Sequence, residues 1–467
     1  MGAVTEEQRT YQDRAGVSGA PPAPMASPPW RTLVGRLLSL FVPILGAQSL
    51  IGFLELTDAA LMRDLGGHSF AAGSLAVSVA VTARVACSAM LSVVSPAVAR
   101  ARACGRDARE LALLAGGSAA LLGAAVAIGV ACGFAFWRPA ALPVATRGAS
   151  EEFVRILCIG LPFTLLFTVS RHVVAGLARP GRSLRWMMVA VPVNAGLDVA
   201  LSRGIGGYRG LGLSGIAWST VVVEVFLAVV AWVDLLRLLP PSVPGATPRR
   251  RAEFSIAALA RQGAPLAAAA GLEVGVFQLS GIVVAARGVA ELADHQALLT
   301  IAGFAAVIPV SLAMATSIQT AEIAAAGGSA RIGYQGVLVV TSVIGMILAG
   351  SAILAGEHVL AAFLSPGSAP WLLAAQAGPA LALLLVADTW QGAIVGILRG
   401  MRDTMFVGRA ALGCLGVGAG GAIAVLLAYR GTLAAVWYAL AAATVLMACV
   451  LWWRLWWRAR HRMDAGS

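Results

Sequence analysis

The chain has 467 residues, of which 59% are hydrophobic and only 12% are charged, and its mean hydropathy is +0.84. Soluble domains carry about 25% charged residues, so this composition excludes an ordinary soluble domain and indicates a protein whose solvent is lipid. The net charge of +12 comes from arginines scattered over short segments rather than from one basic face, which argues against nucleic-acid binding.

Long apolar runs recur from Leu33 to Trp457, each interrupted by short Gly, Pro or Arg clusters. A run of about 20 apolar residues spans the hydrocarbon core as an α-helix. The runs are too long and too continuously apolar for barrel strands, so we predict an all-α polytopic membrane protein with about twelve transmembrane helices. The predicted spans are 36–62, 70–98, 110–136, 152–177, 184–203, 211–236, 262–288, 295–326, 332–356, 371–398, 404–428 and 431–457.

The predicted spans divide six and six around the longest interior polar stretch. Residues 1–33 are polar and Pro/Ala-rich, and we expect a disordered cytoplasmic tail there. An N-terminal lobe is predicted at 34–237, a cytoplasmic linker at 238–254, a C-terminal lobe at 255–457 and a second cytoplasmic tail at 458–467.

The two predicted lobes resemble each other in sequence. HVVAGLARPGRS ends the fourth span and AIVGILRGMRDT ends the tenth, while PILGAQ and PLAAAA open the first and the seventh. Because each lobe has an even number of spans, both lobes enter the membrane from the same side and the repeat is parallel. We therefore expect two six-helix bundles around a central cavity.

The arginines predict the orientation of the chain. There is no lysine, so all 34 basic residues are arginine. If the N-terminus is inside, 24 of them fall in cytoplasmic segments or at the cytoplasmic ends of spans, 8 in outer loops or at the outer ends, and 2, Arg84 and Arg171, well inside spans. This bias follows the positive-inside rule and predicts a multi-pass inner-membrane protein with both termini in the cytoplasm.

Ionisable side chains within apolar spans are costly, so each of them is a candidate functional residue. Glu55 and Asp58 share one face of the first span, and Asn194 and Asp198 share one face of the fifth. Carboxylate and amide oxygens together can hold a proton or ligate Na⁺, and uptake of either cation removes negative charge from a cavity. The other candidates within the spans are Arg84, Arg171, His172, Glu224, Glu273, Glu322 and Asp388.

Four stretches resemble the multidrug and toxin extrusion (MATE) transporters, particularly their NorM-type branch. They are NAGLDVALSRGIGGYRGLGLSGIAWST at 194–220, GLEVGVF at 271–277, LADHQALL at 292–299 and ADTWQGAIVGILRGMRDT at 387–404. The resemblance covers roughly residues 36–457, and ILRGMRDT is its most specific part. It implies a cation-coupled antiporter that exports small amphipathic, cationic organic compounds by alternating access.

The resemblance also implies roles for individual residues in the N-terminal lobe. Asp58 matches the acidic position of the first helix. Asn194, Asp198 and Thr220 match the polar cluster that joins this position in cation binding among relatives.

In the C-terminal lobe, the resemblance assigns coupling and the binding of cationic substrates to two carboxylates. These are Glu273 and Asp388. The coupling ion is expected to be H⁺ or Na⁺ at either set of residues, and no other cofactor is expected.

Arg84 lies in the second span, where the family pattern has no arginine that we would expect. This residue is therefore a departure from the pattern. It could pair with Glu55 or Asp58, and an adjacent cation favours the ionised form of a carboxyl group. Glu55 and Arg84 are therefore predicted modulators of the N-terminal site.

The other ionisable residues have blander interpretations. For Glu224, a functional role and a local ion pair are equally compatible with the sequence. Arg171 and His172 are expected to make hydrogen bonds within the bundle. His295 is expected to cap the eighth helix at the outer surface, and Glu322 to be solvated near the cytoplasmic end.

Two other classes of function were compared with antiport. A lipid-linked oligosaccharide flippase of the same superfamily should line its cavity with cations that meet a pyrophosphate, but only Arg84 and Arg171 lie within spans. The sequence has no HExxH motif, no CxxC spacing among its six cysteines and no clustered metal ligands, so an enzyme is not expected. The expected partners are small-molecule substrates and the bilayer, and the protein is expected to be monomeric.

Overall fold

The computed structural model describes residues 30–136, 144–204, 209–239, 255–285, 289–327, 330–361, 369–428 and 432–461. All regular structure in these ranges is helical. Residues 1–29, 240–254 and 462–467, which contain most of the predicted tails and linker, lie outside the described residues. The helices are α1 Trp30–Asp64, α2 Gly67–Leu91, α3 Val94–Ala103, α4 Ala108–Phe136, α5 Val144–Gly176, α6 Gly181–Arg203, α7 Leu213–Leu238, α8 Ile256–Ala285, α9 Val289–Ala325, α10 Ala330–Ala361, α11 Ala369–Gly400, α12 Thr404–Ala411, α13 Gly420–Ala428 and α14 Leu433–His461.

Eleven helical segments within the described ranges are long and apolar enough to cross a membrane. Each matches a predicted span, so the polytopic all-α architecture is confirmed. Helix α8 occupies the seventh predicted span but is not among the eleven; it carries Arg261 and Glu273 within its apolar sequence.

The structure corrects several predicted boundaries. Helix α1 begins at Trp30, inside the predicted tail, because Leu33 and Leu37 are buried and extend its packed face by nearly two turns. Helix α14 continues to His461, beyond the predicted end of the last span. The second span is broken between α2 and α3 at 92–93, and Pro96 lies in the first turn of α3, where a proline is tolerated.

The eleventh span is also interrupted. Between α12 and α13, residues Leu412–Ala419 form a π-helical segment with the sequence LGCLGVGA. This segment packs against α8 and α14.

The packing of helices repeats between the two lobes. In the N-terminal lobe, α5 packs against α2, α4 and α7, and α1 packs against α6. In the C-terminal lobe, α11 packs in the same way against α9, α10 and α14, and α8 packs against α12. Each partner occupies the corresponding place in chain order, as expected for a parallel repeat of six spans.

The turns after the fourth and tenth spans have the same backbone geometry. Ala178 and Arg402 both have left-handed φ angles, 56° and 63°. The next amide in each turn, that of Arg179 or Asp403, donates to a carbonyl five residues earlier at 2.8 Å. Both turns are Schellman caps, and they lie in the two segments whose sequences first suggested the repeat.

Helix α1 joins the two lobes. Its early residues Leu37, Leu40, Phe41 and Ile44 are buried in a core cluster built mainly by the C-terminal lobe. Its later turns pack with α6 of the N-terminal lobe. The lobes are therefore packed tightly together at the end of the bundle where α1 begins.

Candidate functional site

The four residues predicted for the N-terminal site meet between α1, α6 and α7. The Asn194 side-chain amide donates to Asp58 at 3.0 Å and to Asp198 at 2.6 Å, so it bridges the two carboxyl groups. The Thr220 hydroxyl lies 3.2 Å from the second oxygen of Asp58. The i, i+4 spacing of Asn194 and Asp198 on α6 places both on the face that meets α1 and α7.

Ser219 belongs to the same cluster and was missed by the sequence analysis. Its hydroxyl contacts the Asp198 carboxyl group, and both side chains are fully buried. Ser219 precedes Thr220, and the two hydroxyls reach Asp198 and Asp58 respectively. The only sequence signal was the pair of adjacent hydroxyl residues in WST at 218–220.

The two hydroxyls can accommodate a change in the charge of the cluster. Ser219 and Thr220 also lie 2.7 and 3.0 Å from the backbone carbonyl of Ile216, so each hydroxyl has two acceptors but one proton. If both hydroxyl groups rotate and donate to the Ile216 carbonyl, one carboxylate oxygen of Asp58 and one of Asp198 lose their hydrogen-bond donors. A proton bound to a carboxyl group can then take that place.

Arg84 forms an ion pair with Glu55, as one of the two predicted partners. It also interacts electrostatically with Asp58 and with Glu224 on α7. The Glu224 carboxyl group in turn bonds to Thr164 on α5. Arg84 thus places a permanent positive charge among three carboxyl groups of the N-terminal lobe.

Arg171 makes the predicted contact within the bundle. Its guanidinium bonds to the Gln48 side chain on α1 and lies 5.4 Å from the ring centre of Phe167. The neighbouring His172 is buried, and its Nδ1 has no hydrogen-bond partner among the described residues.

In the C-terminal lobe, Glu273 lies in the middle of α8 and Asp388 in the middle of α11. Both side chains are half-buried, and their carboxyl groups are close enough to interact electrostatically. Within the described residues, neither forms an ion pair with an arginine. The two carboxyl groups therefore repel each other when both are ionised, and one bound cation would relieve that repulsion.

No group of three or more His, Cys, Asp or Glu side chains in the described ranges is arranged to hold a metal. A cation bound at either carboxylate pair would therefore depend on hydroxyl, amide or water oxygens as well. This donor set suits a proton or Na⁺ rather than a transition metal.

The structure corrects the interpretation of His295. This residue belongs to α9, and its side chain is fully buried. Its Nε2 lies 3.1 Å from the Ser280 hydroxyl on α8, and its ring centre lies 5.6 Å from that of Trp437. It joins three helices of the C-terminal lobe and does not cap α9. Ser280 lies on the preceding helix and Trp437 lies 142 residues further along the chain, and neither residue type marks a partner for a histidine.

The interpretation of Glu322 as a solvated residue was also wrong. Its carboxyl group is largely buried and forms ion pairs with Arg36 and Arg102. Both arginines belong to the N-terminal lobe.

Similarity to known proteins agrees with this architecture. No protein-family model matches the chain. The chain is 27% identical over 446 residues to the "Probable multidrug resistance protein NorM" of Deinococcus radiodurans, with 91% of this chain and 95% of the relative covered. The protein of the same name in Pseudomonas aeruginosa is 28% identical over 433 residues, with 87% and 85% covered.

Two solved structures with the same fold are more distant in sequence. A eukaryotic MATE transporter matches with a TM-score of 0.80 at 16% identity, covering 93% of this chain and 99% of that one. A MOP superfamily transporter from Pyrococcus furiosus matches with a TM-score of 0.78 at 18% identity, covering 93% and 96%. The chain is therefore similar along most of its length to relatives named NorM, and it has the fold of solved multidrug and toxin extrusion transporters.

Proposed function

We propose that this transporter exports small amphipathic, cationic organic compounds in exchange for H⁺ or Na⁺. Two findings support multidrug efflux as the general activity: the names of the full-length relatives and the fold of MATE transporters. The exchange of cations is our inference from the site residues.

The observation that carries the proposal is the pair of unneutralised carboxyl groups, Glu273 and Asp388. They belong to different helices of one lobe, interact with each other and have no arginine partner among the described residues. A bound organic cation and a coupling cation would compete for the same negative charge. Such competition links uptake of one to release of the other, which is the requirement for antiport.

The N-terminal cluster differs because it already contains a cation. Arg84 offsets part of the charge of Glu55, Asp58 and Glu224. We therefore assign the main coupling role to Glu273 and Asp388, and a supporting role to the Asp58 cluster.

The test is transport of a fluorescent organic cation by protein reconstituted in vesicles, with pH and Na⁺ gradients imposed separately. We expect Glu273→Gln and Asp388→Asn to abolish gradient-driven exchange, because each variant removes one of the two negative charges for which the organic cation and the coupling cation compete. Glu151→Gln, which removes a carboxylate from an exposed i, i+4 pair, is the matched control and should transport normally. Wild-type exchange by both site variants would refute the assignment.

The flippase alternative is not supported by the site. It requires cationic side chains that are free to meet a pyrophosphate, whereas Arg84 is paired with Glu55 and Arg171 is bonded to Gln48. We further propose that both termini lie in the cytoplasm and that the protein is in the inner membrane, on the basis of the arginine distribution.

A further inference from the structure

Glu322, near the end of α9, forms ion pairs with two arginines of the opposite lobe. Arg36 of α1 lies 2.5 Å from one carboxylate oxygen, and Arg102 of α3 contacts the other. The Glu322 side chain is only 9% exposed, compared with 49% for Arg36 and 36% for Arg102. These three residues, called the Glu322 cluster below, join the lobes at the end of the bundle where α1 begins.

Two further hydrogen bonds cross between the lobes at the same end. The Arg100 guanidinium donates to the backbone carbonyl of Gly400 at 2.8 Å. The Gln319 side chain, one turn before Glu322 on α9, donates to the carbonyl of Leu33 at 2.7 Å. The Glu322 cluster is therefore the charged part of a continuous polar contact between the lobes.

An apolar layer lies next to this contact along α1. Leu37, Leu40, Phe41 and Ile44 begin one residue after Arg36 and are buried in the core of the C-terminal lobe. Separating the lobes at this end would expose these apolar side chains to water and would break both ion pairs of Glu322. The attraction in these pairs is strengthened by the burial of the carboxylate, so both changes oppose separation.

We propose that Glu322 is a positioning residue for transport, which holds the lobes together at the predicted cytoplasmic end through Arg36 and Arg102. The cluster must break before the central cavity opens to that side. This inference rests on the alternating-access part of the proposed function, but it assigns a role to residues outside both carboxylate sites.

The test is amide hydrogen exchange, read by mass spectrometry on the full-length protein in nanodiscs. Glu322→Gln should accelerate exchange about tenfold in peptides from α3 and from the ends of α1 and α9 nearest the cluster, since the variant removes the attraction of Glu322 for both arginines across the contact. Peptides from α13 and the middle of α14, which lie away from the contact, should exchange as in the wild type.

Asp403→Asn is the matched control. Asp403 also binds two arginines, Arg454 at 2.9 Å and Arg458 at 3.2 Å, and is 11% exposed, but all three residues belong to the C-terminal lobe. This variant should leave exchange at the contact between the lobes unchanged. Glu322→Asp, which keeps the charge, should restore most of the protection.

A second variant avoids the risk that a change at a buried residue disturbs folding. The double substitution Arg36→Gln with Arg102→Gln alters two more exposed side chains and should reproduce the accelerated exchange. Unchanged exchange in both Glu322→Gln and the double variant, or equal acceleration in Asp403→Asn, would overturn the proposal. Because exchange is measured without substrate or an ion gradient, failure of the coupling experiment would leave this result unaffected.

Discussion

Each hydroxyl of the Asp58 cluster has one proton and two acceptors within reach. Ser219 contacts Asp198 and the Ile216 carbonyl, and Thr220 contacts Asp58 and the same carbonyl. Such hydroxyls adapt to the charge of the carboxyl groups by rotation alone. The cluster can therefore gain or lose a cation while its helices remain packed.

Ser219→Ala should destabilise the protein by about 1–3 kcal/mol, because the buried Asp198 oxygen then loses its protein donor. The measurement is the free energy of unfolding in mixed micelles. Thr444→Val is the control: the Thr444 hydroxyl is also buried but bonds only to the Leu440 carbonyl of its own helix. An equal effect of the two substitutions would contradict the role given to Ser219.

Arg84 distinguishes the two carboxylate sites. In the N-terminal lobe, its guanidinium lies among Glu55, Asp58 and Glu224, whereas Glu273 and Asp388 have no such cation in the described residues. The two carboxylate sites thus differ in net charge. Only the Glu273–Asp388 pair depends on a bound cation from solution for neutralisation.

At the scale of elements, close helix contacts depend on small residues. Gly392, Gly396 and Gly400 form a stripe on α11 that faces α9. A Cβ at Gly400 would lie 2.8 Å from the Ser317 carbonyl, and one at Gly392 would lie 2.6 Å from that of Pro309. These helices approach closely because the glycines have no side chain, as is common in lipid.

Gly396→Ala should therefore be destabilising by about 1–3 kcal/mol, the usual cost of overpacking. Its Cβ would collide with the Ala313 carbonyl and the Thr316 hydroxyl. Gly378→Ala on the same helix is the control, since a Cβ there meets no atom within 4 Å. Thermal unfolding in detergent measures both variants, and equal melting temperatures would refute the close-packing argument.

At the scale of the whole molecule, the sequence predicted the number of spans, their order and the repeat. It also predicted that Asp58, Asn194, Asp198 and Thr220 would meet, because spacing fixes a helix face and the resemblance supplied the pairing of helices. Ser219 was missed because hydroxyl residues are common in apolar helices and carry no charge signal.

The roles of His295 and Glu322 could not be predicted in the same way. Each depends on residues from other helices: Ser280 and Trp437 for His295, and Arg36 and Arg102 for Glu322. Neither arginine is distinguishable by sequence from the others that follow the positive-inside rule. Only the packing of the lobes shows which arginines meet a carboxylate.

The orientation of the whole chain remains a prediction that is simple to test. With both termini in the cytoplasm, a green fluorescent protein fused after Ser467 should be fluorescent, and alkaline phosphatase fused at the same place should be inactive. The same phosphatase inserted at 205–208, a predicted outer loop, should be active and serves as the control. Active phosphatase at the C-terminus would reverse the predicted orientation.

The helical breaks differ between the lobes although the packing repeats. The N-terminal lobe interrupts its second span at 92–93, whereas the C-terminal lobe keeps the corresponding α9 continuous and instead has the π-helical segment Leu412–Ala419 in its fifth span. Each lobe therefore has its irregular backbone on a different helix. Because helices bend where their regular hydrogen bonding is interrupted, we expect the two lobes to deform at different helices during transport and not in identical ways.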